Sequence, residues 1–276
     1  MDSSRAPPNA QASSKMRKRY LFFDIDRTLT AGGYQKSYVP ESARYALDKL
    51  REDGHFLSLA TGRSHAMAQD YMRELGFDNM VSDGGYGVTI GGELLGITPL
   101  PKDKMVKLVR ECQEKGYAWG IQTDNSVFRT VPDGRFQELT NDPFMKSRIV
   151  PGLDPADYPE LYKAYIVCTQ EQERQIEALK DLPHYRFFDE YLFVEPMAKA
   201  VGIRKVMDYF GADYSDAIVF GDSVNDLSMF VDDWTKVAMG NAIEELKAKA
   251  DIVTTDVEDD GIYNACVTLG LLEKRR

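Results

Sequence analysis

The chain has 276 residues, 43% of them apolar and 28% charged, with a formal net charge of −10; this is the make-up of a globular protein of one or two domains. The acidic balance disfavours nucleic acid or an anionic membrane surface as a partner, and no apolar run approaches the ~18 residues needed to span a bilayer. Three cysteines, Cys112, Cys168 and Cys266, are widely separated and show no metal spacing, so a reducing cytosol is the simplest setting.

The first eighteen residues open MDSSRAPPNAQASSK, lack any hydrophobic period, and read as a disordered arm. Only four apolar residues follow the basic cluster that ends just before Tyr20, too few for a signal-peptide core of ~7–15. YLFF, Tyr20–Phe23, reads as a strand buried on both faces, and it runs straight into Asp24 and Asp26. Buried strands rarely carry carboxylates, because an unpaired buried charge costs several kcal/mol. The two acids therefore belong where the strand leaves the sheet, in the crevice where open α/β sheets bind ligands.

Ala43, Ala46, Leu47 and Leu50 then recur at helical spacing; HFLSLA is a second strand, SHAMAQDYMREL a helix and NMVSD a third strand. This alternation predicts an α/β fold with a doubly wound, Rossmann-like parallel sheet. It resumes after about Ala198 with a helix over Val201–Phe210, the strand DAIVFGD, the helix NDLSMF, the strand TKVAMG, the helix AIEELKAKA and the strand DIVTT. Between these halves the texture changes. A hairpin turns at Gly91-Gly92, a helix covers Lys102–Lys115, and YAWGIQT, SVFRTV, YKAYIVC, YRFFDE and YLFVEP read as strands around the helix EQERQIEALKDL. Closely spaced strands indicate antiparallel pairing, so residues 86–190 are expected as an inserted α+β domain. The core is then 19–85 plus 191–276, with hinges near Tyr86 and Tyr191–Ala198.

Three further stretches fall at the ends of core strands. LATGRS places Thr61 and Gly62 at a strand tip and Ser64 at a helix N-cap, where backbone N–H groups suit an anion. DAIVFGDSVND places Asp222 and Asp226 after another strand, and Val224 excludes an EF-hand loop. Lys199 opens the preceding helix. On a parallel sheet all of these meet at one edge. Acids so gathered repel one another unless a cation joins them, and oxygen ligands without histidine or cysteine point to Mg²⁺. A metal, a lysine, a hydroxyl and helix N–H groups around one point make a phosphate site, with a carboxylate as candidate nucleophile.

FFDIDRTL, LATGR, the lysine of KAVGIRKVMDYFG and FGDSVNDLSMF, together with AMGNAIEELKAKADIVTTDVEDDGI, resemble the haloacid dehalogenase superfamily, in its Cof-type phosphatase branch with a large inserted cap. The resemblance implies that Asp24 is the nucleophile, forming an aspartyl-phosphate, and that Asp26 is the general acid and base. Mg²⁺ would be held by the Asp24 carboxylate, the Asp26 carbonyl and Asp222, with Asp226 acting from behind them. Thr61, the Gly62 amide, Lys199 and Asn225 would bind the phosphoryl oxygens, and the substrates would be small phosphorylated metabolites, sugar phosphates first. Three features depart from the pattern: Arg27 stands where glycine is usual, Asp83 where asparagine is common, and the lysine motif is shortened at EPMAK, where Lys199 is chosen over Lys205 because it lies at the helix start.

A receiver-type phosphorylation switch also combines acids, Thr, Lys and Mg²⁺, but it lacks a base two residues after the phosphorylated aspartate and has no large insert. A non-catalytic phospho-ligand-binding protein is a third reading, against which stands the filling of every catalytic position. Aromatics of the insert, Trp119, Phe128, Phe136 and Tyr185, are expected mainly in its core, with stacking on a sugar or flavin as the functional alternative.

Overall fold

A computed structural model describes residues 17–32, 36–143, 145–186 and 188–275. In chain order it forms β1 (Tyr20–Phe23), α1 (Glu41–Glu52), β2 (Phe56–Ala60), α2 (His65–Leu75), β3 (Met80–Ser82), β4 (Gly87–Ile90) and β5 (Glu93–Ile97). Then follow α3 (Lys102–Glu114), β6 (Ala118–Gln122), β7 (Phe128–Val131), α4 (Arg135–Thr140), β8 (Lys146–Ile149), β9 (Lys163–Val167), α5 (Gln170–Glu173), β10 (His184–Tyr185) and β11 (Tyr191–Val194). The last elements are α6 (Lys199–Phe210), β12 (Ala217–Gly221), β13 (Thr235–Ala238), α7 (Glu244–Lys249), β14 (Ile252–Val253) and α8 (Gly261–Thr268).

Two sheets organise the chain. The first has the order β14-β13-β12-β1-β2-β3-β4-β5, parallel from β14 to β3 and antiparallel over its last two pairings. Alternate residues of β1 point to opposite layers: Leu21 and Phe23 pack with α1 and α8, Tyr20 and Phe22 with α6. The stripe read in the sequence, Ala43, Ala46, Leu47 and Leu50, is the buried face of α1. This double layer is the doubly wound sheet expected. The second sheet, β10-β11-β9-β6-β7-β8, is antiparallel except for the β7–β8 pair, and α3 packs on one of its faces.

The division between the sheets differs from the boundaries expected at Tyr86 and Tyr191. The hairpin β4–β5 extends the core sheet, because β3 turns back through Asp83–Gly85 and β4 pairs directly with it. In turn β11 belongs to the insert, pairing with β9 over Tyr191–Val194. By strand pairing the insert therefore runs from about residue 98 to 195. EQERQIEALKDL is also not one helix: the Glu111 carboxylate accepts hydrogen bonds from the N–H groups of Glu177 and Ala178, 2.9 Å each, and diverts the chain into a 3₁₀ turn over Glu177–Asp181. NDLSMF is likewise a 3₁₀ segment, Val224–Met229. Of the expected N-terminal arm, residues 1–16 lie outside the described residues, and Arg17 pairs with Asp216 at 2.5 Å.

The β3–β4 turn packs on the crossing that leads from the insert back to α6. Ala198 N donates to Gly84 O at 2.8 Å, and both Gly84 and Gly85 have positive φ, 62° and 108°. A Cβ on Gly85 would lie 2.0 Å from Ala198 O, and one on Gly84 1.7 Å from Pro196 O. Gly85→Ala should therefore combine left-handed strain with a backbone clash and cost about 2–3 kcal/mol. Urea melts check this, and a variant as stable as the wild type would show that the turn and the crossing do not touch.

Candidate active site

Parallel strands deliver their carboxyl ends to one edge, and the sequence places an acid just after two central neighbours there. Asp24 follows β1 and Asp222 follows β12; both are buried, at 3% and 1% exposure. Asp226 is fully buried, and one carboxylate oxygen from each of Asp24, Asp222 and Asp226 lies within 4.8 Å of the others. Lys199, the first residue of α6, reaches into this group, its Nζ 2.7 Å from Asp24 Oδ1 and 2.6 Å from Asp226 Oδ1. Of the two lysines weighed on that helix, Lys205 is exposed.

The electrostatics follow from crowding. Burial, then Asp226, pushes the Asp24 carboxyl up to about 7, with Lys199 opposing. Burial together with Asp226 and Asp24 takes Asp222 up to about 8, while Arg27 opposes. Burial lowers the affinity of Lys199 for its proton, but Asp226 and Asp24 more than offset this and raise it above the ordinary lysine range. One ammonium is too little charge for three buried carboxylates. Buried, oxygen-only and over-charged, the donor set fits a hard divalent cation.

Asp226 serves the loop as well: its Oδ2 accepts from Asp222 N at 2.9 Å and Ser223 N at 3.0 Å, fixing the turn that presents Asp222. Thr28 Oγ1 donates to Asp222 Oδ1 at 3.2 Å. Arg27 adopts φ +62°, the left-handed conformation that glycine takes without cost, so the turn survives the departure from the usual residue. Asn241 fixes it by donating through Nδ2 to Arg27 O at 2.9 Å, while Arg27 Nε sits 3.8 Å from Asp222 Oδ2.

On the neighbouring strand end, Thr61 is buried and its Oγ1 accepts from Arg63 N at 3.0 Å. Gly62 lies under the insert: a Cβ there would stand 3.1 Å from Glu195 Oε1 and 3.3 Å from Asn225 Nδ2. Asn225 lines the same cleft and accepts from Ser223 Oγ at 2.7 Å. Asp26 is engaged by a residue quoted in the sequence but given no role there. Arg63 Nε and Nη2 each donate to one Asp26 oxygen at 2.8 Å, a bidentate pair.

The start of α2 is not the open anion site expected. Ser64 is the N-cap, yet its hydroxyl makes no cap bond; Asp83 Oδ2 accepts from His65 N at 3.0 Å, and Asn125 Oδ1, from the insert, accepts from Ala66 N at 2.9 Å. Asp83, at φ +52°, thus acts as a helix cap. The insert contributes one more group. Lys163 Nζ donates to Gly62 O and to Glu195 Oε2, both at 2.5 Å, and Tyr185 OH donates to Glu195 Oε1 at 2.6 Å. Periodicity could not find these contacts, because they join strands distant in sequence. Trp119 and Phe136 are core, as expected, whereas Tyr185 lines the cleft.

The family model of haloacid dehalogenase-like hydrolases matches residues 21–266. The chain belongs to that superfamily, in its Cof-type branch. It is 32% identical over 270 residues to YkrA of Bacillus subtilis, provisionally named a phosphatase, covering 94% of this chain and all of YkrA. A solved hypothetical protein of Geobacillus kaustophilus is 31% identical with a TM-score of 0.78, over 93% of this chain and all of that one. The subclass IIB sugar phosphatase BT4131, 24% identical, shares the fold with a TM-score of 0.76, over 92% of this chain and all of that one. Among the described residues no helix is long and apolar enough to cross a membrane.

Proposed function

We propose that the protein is a Mg²⁺-dependent phosphatase that hydrolyses small phosphorylated metabolites through an aspartyl-phosphate on Asp24. The observation that carries this reading is Lys199 bonded between Asp24 and Asp226 in the buried acidic cluster. Held there, Asp24 cannot rotate away from an incoming phosphoryl group. Asp24, the Asp26 carbonyl and Asp222 would hold the ion, whose chemistry is to offset charge on the carboxylates and on the phosphoryl oxygens.

Asp24 attacks phosphorus, the ester P–O bond breaks, and its electron pair leaves on the alcohol oxygen, which takes a proton from Asp26. Water then attacks the phosphorus, gives its proton to Asp26, and frees phosphate and Asp24. Carrying that proton weakens the two bonds Asp26 accepts from Arg63, because the neutral acid loses the charge that strengthens them. Thr61, the Gly62 amide, Lys199 and Asn225 bind the phosphoryl oxygens, a reaction in which positioning and charge stabilisation do most of the work. The insert is a cap over the crevice, contributing substrate selection and exclusion of water, and the setting is the cytosol. The resemblance puts sugar phosphates first among these substrates.

The purified protein with Mg²⁺ should release phosphate from acetyl phosphate, glycerol 3-phosphate and larger esters, and EDTA should stop it. Acid-quenched enzyme should carry phosphate on the peptide holding Asp24. Release of no phosphate from any ester, or phosphate on another peptide, refutes the reading.

A further inference from the structure

Three buried carboxylates around one lysine leave the cluster short of positive charge, so a further cation beside it matters. The other cations at the site are already taken. Lys199 is shared between Asp24 and Asp226, Arg63 is bonded through two nitrogens to Asp26, and Lys163 is held by Gly62 O and Glu195. Arg27 lines the same cleft and is held least. Its side chain is 55% exposed, and its contacts are long, Nη2 to Asn241 O at 3.4 Å and Nε to Asp222 Oδ2 at 3.8 Å.

The local structure aims Arg27 at Asp222 all the same. Asn241 Oδ1 accepts from Val257 N at 2.9 Å, which anchors the side chain that donates to Arg27 O, and the Asn241 carbonyl takes the guanidinium. Two residues on, Ile243 N donates to Asp222 O at 2.9 Å, so one loop holds Asp222 and Arg27 side by side. Residues 27 and 28 between them face both oxygens of Asp222: Thr28 Oγ1 donates to Oδ1, and Arg27 Nε lies beside Oδ2. Burial, Asp226 and Asp24 push the Asp222 carboxyl up, and Arg27 is the first of the groups that oppose them. Thr28 and Lys199 are fully buried, whereas the guanidinium of Arg27 has solvent to turn into.

We infer that Arg27 is a place-holding cation: it pairs with Asp222 while the ion is absent, competes with Mg²⁺ for that carboxylate, and so sets the affinity of the site below what the acids alone would give. The inference rests on the metal-dependent phosphatase reading above. Its basis is that an ion on either oxygen of Asp222 has the guanidinium as a like-charged neighbour. Even with the full screening of water, a single charge about 6 Å from a divalent ion lowers its affinity by roughly tenfold. Lys199, enclosed between two carboxylates, stays where it is; Arg27, at the rim, is the charge that yields. The consequence is an enzyme whose loading follows the concentration of free Mg²⁺ instead of holding the ion permanently.

The test measures Mg²⁺ binding by calorimetry on the full, metal-free chain, for the wild type, Arg27→Gln and Arg27→Gly, at about 0.02 M and about 0.5 M salt. Glutamine removes the charge and keeps the left-handed strain; glycine removes both. At low salt both variants should bind Mg²⁺ at least fivefold more tightly than the wild type. At high salt that advantage should shrink to about twofold or less, because competition between partly exposed charges is screened and relief of backbone strain is not. Equal or weaker binding by Arg27→Gln overturns the inference and leaves the phosphatase reading standing. So does an advantage that high salt leaves unchanged, or one that only Arg27→Gly shows. If Arg27→Gln does not fold, Arg27→Gly, which suits φ +62°, carries the test through its salt dependence. If neither the wild type nor the variants bind Mg²⁺, the metal-dependent reading fails and the inference falls with it.

Discussion

Asp24→Asn is expected to reduce phosphate release to background with every substrate, while the protein remains folded. The amide nitrogen is not a nucleophile toward phosphorus, so the loss is of the covalent step itself. Stability should hold because the site disfavours the charge being removed: burial and Asp226 already push the Asp24 carboxyl up to about 7, and Lys199 keeps its bond to Asp226 at 2.6 Å. An unchanged melting curve in EDTA alongside lost turnover in Mg²⁺ separates chemistry from folding. Asp26→Asn should behave differently. The nucleophile remains, general acid–base help of typically ~10²–10⁴-fold disappears, and with acetyl phosphate, whose leaving group needs little protonation, phosphoenzyme should accumulate. In a phosphorylation switch Asp26 would have no such part, and its replacement would leave the lifetime of the phosphoenzyme unchanged. Trapping at Asp24 in both the wild type and Asp26→Asn therefore decides between enzyme and switch.

The parts of this arrangement visible in the sequence are those with a period or a strand end. β1, β2, β12 and the α1 stripe followed from apolar runs and helical spacing, and the strand ends then located Asp24, Thr61 and Asp222. Lys199 was identifiable because a helix start just before β12 points its first residue at the same edge. What escaped depends on partners far away in the chain. Arg63 carries no signal of its own in LATGR, because its role is set by Asp26, 37 residues earlier. The boundary at Tyr191 failed because YLFV is an equally good strand for either sheet, and only pairing with β9 assigns it to the insert. The α2 N-terminus looked open because its cap comes from Asp83 and Asn125 rather than from Ser64. The alternation of Tyr191, Phe193 and Glu195 was legible, but which face it turned to the crevice was not.

Removing divalent metal should make the protein's stability fall as pH rises from about 6 to 8.5, whereas Mg²⁺ should abolish most of that fall. Asp24 and Asp222 are raised to about 7 and about 8, above the unfolded carboxyl value of ~3.9. Between those limits the folded state holds more protons than the unfolded state, so the slope of unfolding free energy against pH is negative. The contribution is fully present below the unfolded value and is lost as pH passes through the raised values. A bound cation takes the place of those protons and favours the ionised carboxylates, so the stabilisation by Mg²⁺ should be larger at pH 8.5 than at pH 6. At a concentration of 100 Kd the gain is about 2.7 kcal/mol, or roughly 5 °C in Tm for a chain of this size. Ca²⁺ should also stabilise the fold, because it too offsets the crowded charge, yet support little turnover, since its longer and looser coordination misplaces the in-line groups. Thermal melts in EDTA, Mg²⁺ and Ca²⁺ across this pH range measure all of this at once. If the EDTA-treated protein melts at one temperature from pH 6 to 8.5 and ignores added Mg²⁺, then Asp24, Asp222 and Asp226 are not held together as a cation site.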